Sequence, residues 1–197
     1  DFPYAVPIAT QTLHAAGIAT AISIRKEKRA VLTVIGDGGT SEGDFYEAMN
    51  VAGVWKLPVV FIVSNNQWAI SVPRDEQTAC KTIAQKAIAA GFSGEQVDGN
   101  DVIAVRERVG LALQKARDTH TPTLIEILSY RHNDHTTADD ASRYEPKGNR
   151  EKEWLKEPIT RLRRYLESIN AWDESKEQTL QTECAAEVDQ SVQEYLS

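Results

Sequence analysis

Two polar side chains, Asp37 and Asn66, follow apolar runs in the sequence, and their oxygens suit a hard metal ion. Asp37 lies in a Gly-Asp-Gly triplet directly after residues 31–35, and Asn66 ends an Asn-Asn pair shortly after residues 59–63. Both runs are short and rich in β-branched residues, as buried parallel strands are. Mg²⁺ accepts carboxylate and amide oxygens, and such sites usually complete their coordination with substrate phosphates. These residues therefore predict a magnesium–phosphate site.

The chain between these two runs predicts that both side chains reach the same edge of one β-sheet. Residues 44–56 repeat apolar side chains at helical spacing, so a helix connects the two predicted strands. Ligands of open α/β sheets bind at the carboxyl ends of the strands. Gly36, Gly38 and Gly39 would let the backbone turn tightly beside a phosphate. A glycine-rich turn without a ligand is the alternative for the triplet taken alone.

The remaining chain continues this alternation, which predicts an α/β protein with a doubly wound parallel sheet and C-terminal helices. Further helices are predicted over residues 10–28, 78–90 and 101–117, and further strands over residues 95–97 and 122–129. Residues 130–150 are polar and predict a long loop, a type of segment that is often functional. We expect one α/β domain over residues 1–150, with residues 151–197 as a helical appendage of that domain.

The composition is typical of a globular chain and argues against two kinds of partner. Of the 197 residues, 41% are hydrophobic, and the formal net charge is −7, so no nucleic-acid surface is expected. No stretch approaches the roughly 20 apolar residues that span a bilayer, so no membrane contact is expected either. Cys80 and Cys184 lack the spacing of a metal site and are predicted to be reduced thiols.

A long stretch of the chain resembles a known family. The segment GDGGTSEGDFYEAMNVAGVWKLPVVFIVSNNQWAISVP is similar to the thiamine-diphosphate motif in alpha subunits of 2-oxo acid dehydrogenase complexes. The resemblance continues through VPIATQ, QKAIAAGFSGEQVDGNDVIAV and SYRHNDHTTADDASRY, and it is strongest with the bacterial pyruvate dehydrogenase type. Family members carry a further N-terminal segment, so we expect a truncated chain.

The resemblance implies the metal ligands and the diphosphate contacts. The side chains of Asp37 and Asn66 and the backbone carbonyl of Trp68 would bind Mg²⁺, which in turn holds the diphosphate. The backbone amides of Gly38 and Gly39 would face the diphosphate itself. The fold implied is the thiamine-diphosphate-binding α/β fold.

Three further positions are implied as cofactor contacts. Ser64 lies where some relatives have a phosphate-binding arginine, and its hydroxyl can still form a hydrogen bond. Val6 and Ile8 match the segment that encloses the pyrimidine ring, where Ile8 would help to impose the bent form of the cofactor. Core packing is the alternative role for Ile8.

The same N-terminal segment binds a potassium ion in some relatives. The corresponding groups here are the backbone carbonyls of Ala5 and Pro7 and the side chains of Thr10 and Gln11. Ala5 replaces a residue that carries a hydroxyl group in those relatives, and this departure weakens the K⁺ assignment.

His135 is the histidine that the resemblance assigns to the active site. Its position in HNDHTTADD matches the family histidine that reaches the diphosphate and orients the acyl group during transfer to lipoamide. A solvated loop histidine is the simpler alternative, and His132 is the competing candidate. The imidazole of His135 could form hydrogen bonds in either protonation state near neutral pH.

The implied activity is decarboxylation of a 2-oxo acid, most simply pyruvate, with transfer of the acyl group to lipoamide of the acyltransferase component. The glutamate that activates the cofactor comes from a beta subunit in this family, so we expect a heterotetramer of two alpha and two beta subunits. The location would be the bacterial cytoplasm, or the mitochondrial matrix if the source is eukaryotic. Alternatives are a branched-chain 2-oxo acid or acetoin dehydrogenase alpha subunit, and a non-catalytic interaction subunit.

Overall fold

The computed structural model describes residues 6–197, and strands and helices alternate along much of the chain. The strands are β1 (Val31–Gly36), β2 (Val59–Asn65), β3 (Trp68–Ala69), β4 (Val72–Pro73), β5 (Ser93–Asp98) and β6 (Thr123–Leu128). The α-helices are α1 (Thr10–Ile24), α2 (Gly43–Trp55), α3 (Arg74–Gln77), α4 (Lys86–Ala89), α5 (Val102–Thr119), α6 (Asn149–Trp154), α7 (Pro158–Ser168) and α8 (Glu174–Leu196). Short 3-10 helices cover Gly38–Ser41, Ile83–Gln85 and Ala141–Arg143.

The larger sheet is parallel and has the strand order β1-β2-β6-β5. Gly36 lies opposite Ser64, and Asn65 lies opposite Leu128, so the carboxyl ends of β1, β2 and β6 meet at one edge. The interior strand β2 is almost entirely buried, as its uninterrupted apolar run predicts. The short strands β3 and β4 form an antiparallel hairpin directly after β2.

Helices cover both faces of the sheet, because alternate side chains of a strand point to opposite sides. On one face, Phe61 of β2 packs with Phe45 of α2 in a cluster that also contains α1. On the other face, Ile62 packs with Ala112 and Ala116 of α5. The predicted doubly wound α/β fold with a parallel sheet is therefore confirmed.

The helix predicted over residues 78–90 is wrong, because side chains from outside the segment form hydrogen bonds with backbone groups that such a helix would need. The guanidinium of Arg74 donates to two carbonyl oxygens near the start of the segment. The amide of Ala84 donates to the carboxyl group of Glu126 at 3.0 Å. The segment instead forms the 3-10 helix Ile83–Gln85 and the four-residue helix α4.

Two helix boundaries follow from local chemistry. Asp101 caps α5, as predicted, because its Oδ1 accepts from the amides of Ile103 and Ala104 at 3.1 and 3.0 Å. Helix α1 ends at Ile24 rather than at residue 28, and Lys26 has a φ of 55° in the left-handed region. The basic residues after α1 therefore belong to the turn into β1.

The chain divides into two compact units, Asp1–Lys156 and Glu157–Ser197, and the predicted boundary after residue 150 stays a prediction. In the second unit, the carboxyl group of Glu177 accepts two hydrogen bonds from Arg163 and one from the indole of Trp172. These hydrogen bonds, led by those from Arg163, lower the pKa of Glu177 to about 2. Within residues 6–197, no helix combines the length and the apolar character that crossing a bilayer requires.

Candidate functional site

Asp37 lies directly after β1 and is almost completely buried, with 1% of its surface exposed. Its amide donates to the carbonyl of Ser64 on β2 at 3.3 Å, and its Oδ2 accepts from the Nε2 of Gln77 at 2.7 Å. Asp37 takes part in no ion pair within residues 6–197. A buried carboxylate normally requires a compensating cation, and a bound metal ion would supply one.

Gln77 gives a second indication that a hydrated ion fits beside Asp37. Its Oε1 is buried and has no hydrogen-bond partner within residues 6–197. Buried polar atoms are nearly always paired with protein groups or ordered water. A water molecule bound to Mg²⁺ at Asp37 could donate to this oxygen, because magnesium usually retains several of its waters.

The glycines after β1 are required by close packing. A β-carbon at Gly38 would lie 2.7 Å from the Cβ of Ala69, and one at Gly39 would lie 2.7 Å from the Cγ1 of Ile35. Gly36 differs, because a β-carbon there would meet nothing within 4 Å. The contact between Gly38 and Ala69 brings the turn after β1 against strand β3.

Asn65 and Asn66 stabilise the turn that follows β2. The Oδ1 of Asn66 accepts from the amide of Trp68 at 3.1 Å. Asn65 is 1% exposed; its Nδ2 donates to the Oε1 of Glu126 at 2.6 Å, and its Oδ1 accepts from the amide of Gln67 at 3.1 Å. Both the oxygen and the nitrogen of the Asn65 side chain therefore have hydrogen-bond partners within the protein.

Asp37, Asn66 and Trp68 all lie at the carboxyl edge of the sheet, at the ends of β1 and β2 and the start of β3. Residues 6–197 contain no group of three or more His, Cys, Asp or Glu side chains that could hold a metal ion. A metal here would therefore depend on amide, carbonyl and phosphate oxygens in addition to one carboxylate. Their coordination of Mg²⁺ stays a prediction.

The remaining predicted cofactor residues lie around this turn. Ile8 is beside Gly39, since its Cγ2 would lie 3.0 Å from a β-carbon added there. Val6 and Ile8 are 79% and 62% exposed, so neither is a core residue of this chain. Ser64 is partly buried in β2, and its carbonyl accepts the amide hydrogen of Asp37.

The predicted potassium ligands lie only in part within the described residues, because Ala5 is outside them. The carbonyl of Pro7 accepts from the amide of Thr10 at 3.4 Å. The Nε2 of Gln11 donates to the carbonyl of Val34 on β1 at 3.0 Å. These contacts fasten the start of α1, and the potassium site stays a prediction.

His135 is exposed and lies in the loop that follows β6. The start of this loop is anchored at the candidate site, because the amide of Arg131 donates to the carbonyl of Asn66 at 3.2 Å. Within residues 6–197, no hydrogen bond joins the His135 imidazole to Asn66. The competing candidate, His132, packs against Trp154 with ring centroids 4.4 Å apart and the ring planes tilted by 30°. Within the described residues, both ring nitrogens of His132 are buried and have no hydrogen-bond partner.

Two aspartates hold the loop around His135. The Oδ2 of Asp139 accepts from the hydroxyl of Tyr144 at 2.5 Å and from the amide of His135 at 2.8 Å. The Oδ1 of Asp134 accepts from the Nη2 of Arg150 at 2.9 Å. The hydrogen bond from Tyr144 is the main cause that lowers the pKa of Asp139. The hydrogen bond from Arg150 is the main cause that lowers the pKa of Asp134. Because the native pKa lies below that of the unfolded chain, both aspartates stabilise the loop above about pH 4 and lose this effect as the pH falls through the native pKa.

Replacing Asp139 by asparagine should loosen this loop, because a neutral amide accepts weaker hydrogen bonds from Tyr144 and His135 than a carboxylate does. We expect trypsin at neutral pH to cleave the loop roughly threefold to tenfold faster than in the wild type. Asp118→Asn, on the exposed surface of α5, is the matched control. With pepsin near pH 3, the difference should shrink. Equal cleavage rates at neutral pH would mean that Asp139 does not hold the loop.

Two residues that support the candidate site were not identified from the sequence: Gln77, which contacts Asp37, and Glu126, which contacts Asn65 beside Asn66. Glu126 gives a weak signal, because it is an acidic residue inside the apolar strand β6, and it is completely buried. Gln77 gives no signal, because its contact with Asp37 joins residues 40 positions apart. Gln77 donates to Asp37, and Glu126 accepts from Asn65, and both partners lie at the carboxyl edge of the sheet.

The fold and the site define a class of protein: a doubly wound α/β chain with a glycine-rich turn and oxygen-bearing side chains at the carboxyl ends of adjacent parallel strands. A family model described as dehydrogenase E1 component matches residues 2–196. The chain belongs to this dehydrogenase E1 component family.

Several curated relatives are similar to the chain over nearly its whole length. It is 44% identical over 187 residues to the pyruvate dehydrogenase E1 component subunit alpha of Bacillus cereus, which covers 94% of this chain and 50% of that protein. The subunit of the same name from Staphylococcus aureus is 42% identical over 189 residues, or 95% of this chain and 51% of the relative. The 3-methyl-2-oxobutanoate dehydrogenase subunit alpha of Mycobacterium tuberculosis is 47% identical over 176 residues, or 89% of this chain and 48% of the relative.

The chain therefore spans about half the length of these curated relatives. The predicted resemblance to alpha subunits of 2-oxo acid dehydrogenases, and to the bacterial pyruvate dehydrogenase type among them, is confirmed.

Proposed function

We propose that this chain is part of the alpha subunit of a 2-oxo acid dehydrogenase that uses thiamine diphosphate and Mg²⁺. The enzyme would decarboxylate pyruvate and transfer the acyl group to lipoamide of an acyltransferase partner. The observation that carries the proposal is the placement of Asp37 and Asn66 after adjacent parallel strands in a chain of the dehydrogenase E1 family. The names of the Bacillus and Staphylococcus relatives support the choice of pyruvate.

In this proposal, Mg²⁺ is held by the side chains of Asp37 and Asn66 and by the carbonyl of Trp68, all hard oxygen ligands. The burial of Asp37 without an ion pair supports the assignment. Gly38 and Gly39 would face the diphosphate through their amides, and a 3-10 helix leaves its first amides free of internal hydrogen bonds. Gly36 and Ser64 would flank the same phosphates. A potassium ion bound by Pro7, Thr10 and Gln11 is a secondary proposal.

Thiamine diphosphate supplies the electron sink for the loss of CO₂ from a 2-oxo acid. This chain would bind the diphosphate end, and Val6 and Ile8 would cover the pyrimidine ring. Their high exposure in the isolated chain is consistent with a surface that a cofactor and a partner cover. We assign the acidic residue that activates the cofactor to a beta subunit, so the complete site would form at the interface of a heterotetramer. The assembly would reside in the bacterial cytoplasm, or in the mitochondrial matrix of a eukaryote.

We expect His135→Ala to separate cofactor binding from acyl transfer. In the assembled enzyme, the variant should bind Mg²⁺ and thiamine diphosphate normally, because the His135 side chain lies in the exposed loop. Transfer to a lipoyl domain should fall by roughly 100-fold, as expected when a reacting group loses its orientation. Single-turnover transfer should be compared with decarboxylation measured by an artificial electron acceptor, and His120→Ala is the control. Full transfer activity would reduce His135 to a loop residue.

The identity of the 2-oxo acid requires a direct assay, because the relative from Mycobacterium is named for 3-methyl-2-oxobutanoate. The full-length chain, co-expressed with its beta partner, should be assayed with pyruvate and with 3-methyl-2-oxobutanoate, with and without thiamine diphosphate and Mg²⁺. Turnover that depends on the cofactor and prefers pyruvate is the expected result. A preference for the branched acid would favour a branched-chain enzyme. No turnover by a well-formed complex would favour an acetoin dehydrogenase or a non-catalytic subunit.

A further inference from the structure

Lys86, the first residue of α4, is a buried cation. Only 4% of its surface is exposed, and it takes part in no ion pair within residues 6–197. Lysine is almost never fully buried unless it is paired, because removing an ammonium group from water is unfavourable. Burying the ammonium group of Lys86 is therefore unfavourable for folding, which indicates a role other than packing.

The ammonium group of Lys86 contacts the turn that follows Asp37. Its Nζ donates to the carbonyl oxygen of Thr40 at 2.8 Å and to the hydroxyl oxygen of Thr40 at 3.1 Å. It also lies 5.0 Å from the centre of the Tyr46 ring, a distance that allows a cation–π interaction. Thr40 belongs to the 3-10 helix Gly38–Ser41 and is 1% exposed.

Thr40 transmits this contact to Asp37. Its amide donates to the carbonyl of Asp37 at 3.0 Å, and its hydroxyl donates to the same oxygen at 2.7 Å. A hydroxyl group has one proton to donate and lone pairs with which to accept. Thr40 can thus accept from Lys86 while it donates to Asp37, so two hydrogen bonds in series connect the ammonium to the backbone of Asp37.

We infer that Lys86 is a positioning residue for the anionic end of the ligand. It fixes the turn that presents Asp37, Gly38 and Gly39, and it places a positive charge against that turn where a diphosphate group would bind. This inference rests on the proposed function, because it assigns a role in the same site. No motif in the sequence around Lys86 predicts this role.

The test is Lys86→Met in the full-length chain assembled with its beta partner. Methionine keeps the length and the apolar packing of lysine but removes the charge and the donors. Affinity for thiamine diphosphate with Mg²⁺ should fall roughly 10- to 100-fold, the usual effect of removing a group that orients a ligand. The kcat at saturating cofactor should change by less than about threefold, since the residue acts on binding. Lys115→Met, on the exposed surface of α5, is the matched control.

Two competitors distinguish positioning of the anionic end from a general structural role. Inhibition constants should be measured for inorganic diphosphate with Mg²⁺ and for unphosphorylated thiamine, each against thiamine diphosphate. Lys86→Met should weaken inhibition by diphosphate and leave inhibition by thiamine unchanged, whereas a distorted site would weaken both. Lys86→Arg, which keeps the charge, should recover part of the diphosphate affinity.

Thr40→Val tests the connection between Lys86 and Asp37. If the two residues act in series, the double variant should lose less affinity than the product of the two single losses. Equal cofactor affinity in Lys86→Met and the wild type would overturn the inference and leave the proposed function intact. Equal weakening of thiamine and diphosphate would also overturn it. A wild-type complex that binds no thiamine diphosphate would overturn both.

Discussion

Asp37→Asn is expected to weaken the binding of Mg²⁺ and thiamine diphosphate to the assembled enzyme by roughly 1000-fold. Removing the charge of one partner in a buried charge pair costs about 2–5 kcal/mol, and about 4 kcal/mol corresponds to a factor of roughly 1000 in affinity. Asparagine retains an oxygen that can accept from Gln77, which donates to the Asp37 carboxylate at 2.7 Å. The variant should therefore keep the wild-type fold.

Calorimetric titration with thiamine diphosphate at fixed Mg²⁺ measures this effect, and the cofactor-dependent decarboxylation rate gives a second readout. Asp118→Asn, an exposed position on α5, controls for the change of net charge. A variant at position 37 that kept cofactor-dependent decarboxylation at the same Mg²⁺ concentration would show that Asp37 is not a metal ligand.

The second large effect concerns stability. Glu126→Ala should lower the free energy of unfolding by roughly 2–6 kcal/mol, because it leaves two buried donors without an acceptor, each at a cost of about 1–3 kcal/mol. The donors are the Nδ2 of Asn65 at 2.6 Å and the amide of Ala84 at 3.0 Å. Glu126→Gln should cost about half as much, since one oxygen still accepts.

Urea unfolding of the full-length chain, followed by circular dichroism, measures this loss through the midpoint and the slope. Glu107→Ala, an exposed position on α5, is the control. The same variant should also weaken cofactor binding, because Asn65 holds the turn that contains Asn66. A midpoint equal to that of the control would mean that the buried carboxyl group of Glu126 does not stabilise the fold.

The parts of the fold that the sequence predicts correctly are those governed by local patterns. Strands β1 and β2 are apolar runs rich in β-branched residues, and α2 has an apolar face at helical spacing. Burial is predicted for both strands and is observed for β2, but Leu32 and Val34 of β1 are exposed because they lie on the opposite face from the buried Thr33 and Ile35. Asp101 caps α5 through bonds to amides only two and three residues away. Each of these features depends on neighbours in the sequence, so its residues alone are sufficient to predict it.

The helix predicted over residues 78–90 shows where local patterns fail. Its apolar spacing is real, but Arg74 takes carbonyl groups at one end and Glu126 takes the amide of Ala84. The hydrogen bond between Ala84 and Glu126 joins residues 42 positions apart, and no pattern in the residues around position 84 predicts it. These hydrogen bonds from side chains outside the segment outweigh its helical preference.

The candidate site divides in the same way. The position of Asp37 and Asn66 at the same edge of the sheet could be predicted, because the carboxyl ends of adjacent parallel strands lie at one edge. The supporting contacts of Gln77, Lys86 and Glu126 could not, because they come from elements that are distant in sequence. Sequence patterns thus predict which residues lie at the ends of the strands better than they predict which distant residues support them.

The segment from Ala84 to Lys86 limits how this sequence can change in length. Ala84 is bonded to Glu126, which holds Asn65 at the end of β2, while Lys86 is bonded to Thr40 after β1. An insertion or deletion between residues 84 and 86 would break one bond or the other, whereas length changes before Thr82 or after Gly91 would leave both. Homologous chains should therefore vary in length on either side of this segment and keep a fixed spacing within it.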